Sequence, residues 1–301
     1  MFEIMKRLGI LYIIIALSVF AVSCEKDELN SESVIKVSQY EENDFDKWLR
    51  VNYLNPYNID FIYRYEFIES DMNYYTVPSD MESSIMMAHL VKYLCIESYD
   101  EVAGIDFTRR YFPKMFFLIG EFEYRNNGTF ILGTAEGGKK ILLSGLNYLK
   151  NMVNNIEALN YYYIKTIHHE FVHILNQTCD FSADYQLITG TGYVADSWSE
   201  YPYTEGYLQR GFISAYSQQS ADEDFAEMMS TYITNSEEWW NEQMEIAGEK
   251  GSMHITKKLD IVRSYMADEF NIDIDELRST LMRRQKDIEE GKINLTSVEI
   301  K

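Results

Sequence analysis

The sequence predicts an α+β domain: a mixed sheet with helices in the N-terminal half, then a mainly helical C-terminal half. Three observations lead there. Every strand-like segment falls before Leu143, apolar residues recur at helical spacing from Leu159 onward, and strands first with helices afterwards is the order of α+β domains. With 301 residues, 46% of them hydrophobic and 15% aromatic, the chain can bury a sizeable core and is not intrinsically disordered.

The elements follow in order. Residues 58–67 (NIDFIYRYEF) alternate and are rich in aromatic and branched side chains, which predicts a strand. Residues 81–99 have helical spacing through Ile85, His89, Leu90 and Leu94. Residues 114–120 (KMFFLIG) read as a short buried strand. Residues 129–134 (TFILGT) and 140–143 (KILL) flank a glycine-bearing turn and predict a hairpin. A helix is expected over 159–176, packing through Tyr162, Ile164, Ile167, Phe171, Ile174 and Leu175. A glycine-bearing loop region follows to about 211. A second strong helix covers about 221–234, and two or three more fill 237–292. No repeat or low-complexity stretch interrupts the chain.

The first residues have another purpose. Lys6 and Arg7 precede an apolar run over 8–22, which ends at Ala21-Val22-Ser23-Cys24 before the polar Glu25-Lys26-Asp27-Glu28. This is the layout of a secretory signal peptide; the run falls short of the ~20 apolar residues a membrane span needs. Small residues before a lone cysteine resemble the lipobox of bacterial lipoproteins, in which Cys24 is lipidated, although Ala21 stands where Leu is usual. The expected organisation is a signal peptide over 1–23, a lipid-anchored tether over 24–40 and one domain over 41–301. Lys26 followed by acidic residues resembles the export signal of Bacteroidetes lipoproteins, which implies display on the outer face of the outer membrane.

Loss of Glu3, Lys6 and Arg7 with the signal takes the formal charge from −21 to −22. Such a balance disfavours nucleic acid and anionic lipid, since both would be repelled. It also leaves Cys24, rather than a basic patch, as the route to the membrane. The remaining cysteines, Cys95 and Cys179, are too few for a disulfide framework, though they could pair.

The chemistry is concentrated in His169-Glu170-Phe171-Val172-His173, an H-E-x-x-H pattern inside a predicted helix. Residues i and i+4 share a face, so both imidazoles can reach one zinc ion. Glu170 stands beside them as a general base for a water that the metal activates. His168 lies about a hundred degrees round the helix from His169, so packing or hydrogen bonding is its expected role. His89 and His254 read as ordinary core or surface residues.

A catalytic zinc site has three protein ligands and an open position. Three residues compete for the third place. Cys179 falls where the metzincin pattern puts its last ligand, but Asn176 replaces the glycine of that turn. Asp196, after Gly190-Thr191-Gly192, faintly resembles an aspzincin element. Glu223, on the second strong helix, fits the gluzincin arrangement, in which a Glu on a downstream helix ligates. Glu227, one turn later, can orient a ligating His. Glu223 is the choice.

Residues 216–227 (YSQQSADEDFAE) resemble zincins of the anthrax lethal-factor type. That resemblance implies Tyr216 as the stabiliser of the oxyanion. More widely, residues 97–104 (ESYDEVAG), 111–114 (YFPK), 124–148, 168–177 (HHEFVHILNQ), 189–198 (TGTGYVADSW) and 223–227 resemble the substrate-import-associated zinc metallohydrolase lipoproteins of Bacteroidetes. This similarity spans essentially the whole mature chain. It implies a zincin-like metalloprotease fold, one catalytic zinc ion, a peptide or protein substrate, and a link to a TonB-dependent transporter and its surface binding lipoprotein. The alternative it leaves open is a non-catalytic binding subunit with a structural or vestigial zinc site.

Overall fold

The computed structural model describes residues 41–69, 73–124, 130–136 and 139–300. The expected signal peptide, Cys24 and the tether lie outside the described residues. Glu42–Lys301 forms one compact unit, and among its described residues no helix is long and apolar enough to cross a membrane.

The fold begins with helix α1 (Asp44–Leu49). A capping box starts it: Asn43 Oδ1 accepts from the Asp46 amide, and the Asp46 carboxylate accepts from the Asn43 amide. A π-type turn over Arg50–Leu54 leads to α2 (Asn55–Tyr57), which Asn58 ends in the left-handed region. Strand β1 (Asp60–Ile62) is shorter than the ten residues expected. The chain leaves the sheet after Ile62 because the Tyr63 hydroxyl and Arg64 guanidinium both turn to donate to Asp46.

The helix expected over 81–99 runs further, as α3 (Met81–Leu90), a π-type turn (Val91–Ile96) and α4 (Glu97–Ala103). Gly104, at φ +84°, turns it into α5 (Ile105–Tyr111). Five strands follow: β2 (Met115–Leu118), β3 (Glu123–Tyr124), β4 (Phe130–Ile131), β5 (Gly133–Glu136) and β6 (Lys140–Leu143). The main sheet has the order β1-β2-β6-β5. β1, β2 and β6 are parallel, and β5 is antiparallel on β6 at the edge. Buried apolar runs in β2 and β6 suit central parallel strands covered on both faces. The strand expected over 129–134 is broken at Leu132: β4 pairs with β3, and only β5 forms the expected hairpin with β6.

The C-terminal half carries α6 (Ile156–Leu159), a π-type turn (Asn160–Ile164) and α7 (Lys165–Asn176) in one helical run. The expected loop region contains a short helix, α8 (Asp184–Thr189). Helix α9 (Ala221–Thr234) has the bounds expected from sequence. Two helices complete the chain, α10 (Glu237–Phe270) and α11 (Ile274–Glu289), and Gly248 at φ +67° kinks the first.

Helix α7 lies at the centre. It packs on β5 on one side and on α9 on the other. Ile167, Phe171, Val172 and Leu175 are fully buried, and the Phe171 ring meets those of Tyr99, Phe107 and Phe112. Close approach to the sheet depends on Gly133, where a Cβ would meet Thr166 Cγ2 and Leu142 O, each at 2.8 Å. The structure is thus the α+β arrangement expected: a small mixed sheet and a largely helical C-terminal half built around one central helix.

Candidate metal centre

Two helices bring the site together. On α7, His169 and His173 are four residues apart and point to the same side. Opposite them, α9 begins at Ser220, whose hydroxyl accepts from the Glu223 amide. The first turn of α9 carries Asp222, Glu223 and Asp224, a placement the helix dipole favours. Glu223 therefore enters from a capped, fixed helix start. Its Oε2 lies 2.9 Å from His169 Nε2 and 3.3 Å from His173 Nε2, and the two ring nitrogens are 3.1 Å apart. Among the described residues this is the one group of three or more His, Cys, Asp or Glu side chains whose donor atoms could hold a metal ion.

The donor set fits zinc. Ligands about 2.0–2.1 Å from a tetrahedral zinc ion lie roughly 3.4 Å from one another, so these three atoms would need to spread by only a few tenths of an ångström. Two imidazoles and one carboxylate also leave one coordination place open, as a catalytic site requires.

Electrostatics tie the three together. Burial would lower the pKa of His169, but the carboxylates of Glu223 and Glu227 outweigh it and carry the ring up to about 10. Burial would raise Glu223, yet its hydrogen bonds to His169 and His173 hold it at about 2. Glu227 sits one turn further along α9, its Oε1 3.0 Å from His169 Nδ1, in an ion-pair contact rather than an aligned hydrogen bond. Burial opposes its charge, while Lys165, His169 and Ser214 keep it well below the usual carboxylate range.

The remaining expected residues can be placed plainly. Glu170 and Tyr216 line the same cleft as His173 and Glu223, a cavity of about 1080 Å³ that also reaches Gly133 and Thr134 on the edge strand. Tyr216 lies in a short turn (Tyr216–Gln218), its ring 5.9 Å from that of His169 and edge-on to Trp198 at 4.9 Å. Burial and the charges of Glu223 and Glu170 push its hydroxyl above the ordinary tyrosine value, so it keeps its proton at neutral pH. His168 is fully buried, hydrogen-bonded through Nδ1 to the Tyr99 hydroxyl at 3.1 Å, and burial takes its pKa down to about 3. His89 bonds the Ser297 carbonyl and His254 the Ile188 carbonyl, both apart from the cluster.

The two rival ligands are elsewhere. Asp196 is exposed, in the turn Ala195–Ser199. Cys179 is a free, partly buried thiol whose backbone carbonyl accepts from Tyr265; Cys95 is free as well, so the two do not pair.

Sequence reasoning missed two partners. Lys165, one turn before His169, holds both Glu227 oxygens at 2.9 Å, and its four-residue spacing was the available signal. Lys258 of α10 lies fully buried 2.5 Å from Asp224 Oδ2 and 2.9 Å from the Gly211 carbonyl. It braces α9 directly behind Glu223, and nothing local in the sequence pointed to it.

Comparison with known proteins agrees with this geometry. Residues 38–275 match the family described as "Putative zinc-binding metallo-peptidase". A crystal structure from Bacteroides caccae with the same description is similar at a TM-score of 0.74 and 40% sequence identity, covering 89% of this chain and 100% of that one. No curated protein matches. The matched residues take in the sheet, the H-E-x-x-H helix and the helix of Glu223, so the chain belongs to that family.

Proposed function

We propose that the protein is a zinc-dependent peptidase, with one zinc ion on His169, His173 and Glu223. One observation carries this reading: the three donor atoms converge at the wall of a cleft that Glu170, Tyr216 and the edge strand β5 also line. A bound zinc ion would polarise the scissile carbonyl and lower the pKa of a water to about 7. Glu170 takes the proton of the attacking water and passes it to the leaving amine. The protonated Tyr216 hydroxyl donates to the oxygen that gains negative charge in the tetrahedral state. Glu227, held beside Nδ1, keeps the His169 ring oriented so that Nε2 faces the metal. The open side of β5 offers backbone groups to an extended peptide.

In the cell this activity belongs on the outer membrane, exposed at the surface through lipid on Cys24, beside a TonB-dependent transporter and its binding lipoprotein. The support is the N-terminal sequence pattern and the family resemblance carried by the segments quoted above. Metal content and cleavage of a diverse peptide library test the proposal, comparing wild type with Glu170→Gln. Stoichiometric zinc in both, with cleavage by wild type only, is expected. Zinc without cleavage of any peptide would instead favour a binding subunit of the import system, and no zinc in either would overturn the ligand assignment.

A further inference from the structure

Lys165, His169 and His173 recur every four residues on α7 and share one face, as do Glu223 and Glu227 on α9. The two rows interdigitate. Lys165 Nζ is 2.9 Å from each Glu227 oxygen, and Glu227 Oε1 is 3.0 Å from His169 Nδ1. His169 Nε2 is 2.9 Å from Glu223 Oε2, which is 3.3 Å from His173 Nε2. Cation, carboxylate, imidazole, carboxylate and imidazole thus alternate across the helix interface. We infer that Lys165 is a positioning residue for the metal centre: by gripping both oxygens of Glu227 it fixes the carboxylate that orients His169.

The geometry gives Lys165 this role rather than that of a surface ion pair. The Glu227 side chain is 4% exposed, and that of Lys165 is 24% exposed. Two equal contacts hold the carboxylate plane, whereas one would let it turn about its last carbon–carbon bond. Oε1 is the atom shared between Lys165 and His169, so any turn of that group changes what His169 Nδ1 meets. Ordering this one carboxylate therefore bears directly on a metal ligand. An ordinary exposed pair would contribute little and would leave the metal ligands unaffected.

This inference rests on zinc binding at His169, His173 and Glu223. Its test is a double-mutant cycle read by metal affinity. Wild type, Lys165→Met, Lys165→Arg, Glu227→Gln and the Lys165→Met/Glu227→Gln double variant are stripped of metal and titrated with zinc against a chelator. Each is also loaded with cobalt(II), whose visible spectrum reports ligand geometry. Lys165→Met should weaken zinc binding about tenfold, in the range for residues that orient a ligand, and move the cobalt bands toward those of Glu227→Gln. Lys165→Arg should restore most of the affinity. In the Glu227→Gln background, Lys165→Met should add less than about twofold, because coupled residues do not add. Full affinity in Lys165→Met, or an equal loss in both backgrounds, would overturn the inference. If Lys165→Met does not fold, judged on the metal-free protein by circular dichroism, Lys165→Gln takes its place in the same cycle. Wild type that takes up no zinc would refute the metal centre itself, and the role of Lys165 with it.

Discussion

Glu223→Ala is the substitution that tests the ligand assignment most directly, because it separates the three residues that compete for the third place. A ligand that binds only the folded state at one hundred times its Kd stabilises that state by about 2.7 kcal/mol. For a domain of this size each kcal/mol moves the melting temperature by about 2–4 °C, so zinc should raise the wild-type midpoint by roughly 5–11 °C. Glu223 Oε2 touches both histidine nitrogens, so its removal takes away one of three ligands. The loss should reach at least about a hundredfold in affinity, the upper end of what outer partners of a ligand cost. At the same free zinc the stabilisation then falls to about 0.4 kcal/mol, a shift of under about 2 °C.

The assay is thermal melting of each variant with chelator and then with buffered zinc, each compared with its own metal-free form. That comparison removes the effect of Glu223 on the start of α9. Cys179→Ser and Asp196→Asn serve as controls and should keep the whole zinc shift, since neither side chain joins the cluster. A full shift in Glu223→Ala, with loss in either control, would refute the assignment.

Two further outcomes follow from the same structure. Tyr216→Phe should lower kcat by about a hundredfold or more, as loss of an oxyanion donor does, while zinc affinity and KM stay near wild type; an unchanged kcat would remove Tyr216 from the mechanism. Asp46→Asn should destabilise the fold by about 1.5–3 kcal/mol at pH 7, because Asp46 accepts charged bonds from Arg64. Burial alone would raise the Asp46 pKa, but Arg64, the Asn43 amide and Tyr63 bring it below its ordinary value. A depressed carboxyl contributes stability above its unfolded pKa of about 3.9 and loses it as the pH falls through the folded value. Urea midpoints of the two proteins should therefore differ at pH 7 and converge as the pH falls through the lowered folded pKa; a constant gap would show that the charge is not responsible.

What the sequence revealed, and what it hid, follows from how far apart the cooperating residues lie. Helix α9 is readable within its approximate bounds because its apolar spacing is local, as is the Ser220 cap that the structure shows. His169 and His173 are readable because four-residue spacing is a property of one helix. Glu223 needed knowledge of how zincins place a third ligand, since nothing within α7 points across 54 positions to it. Strand β3 escaped because two residues carry no period, and it exists only through pairing with β4. β1 was overextended because alternation continues in the sequence past Ile62, while Asp46 draws Tyr63 and Arg64 away from the sheet. Lys258 lay beyond reach for a further reason. A lysine in a long polar helix reads as solvated, and only the tertiary fold shows it fully buried against Asp224.

The edge strand gives the sharpest test of how a peptide would lie in the cleft. Ser144 N donates to Leu132 O at 3.1 Å, and the register continues Gly133 to Leu143 and Thr134 to Leu142. Hydrogen-bonded and open pairs alternate along an antiparallel ladder, so Thr134 faces β6 while Gly133 and Ala135 turn their amides to the open edge. Proline is tolerated in an edge strand where its missing N–H would have faced outward. Ala135→Pro should thus keep the fold and the zinc, yet raise KM by about tenfold if a peptide takes that amide, the equivalent of one hydrogen bond of about 1.4 kcal/mol. Thr134→Pro breaks the ladder to Leu142 and should instead lower the melting temperature. Melting curves and steady-state kinetics on the two variants distinguish the cases. An unchanged KM in a folded Ala135→Pro protein would mean that the substrate does not take the Ala135 amide.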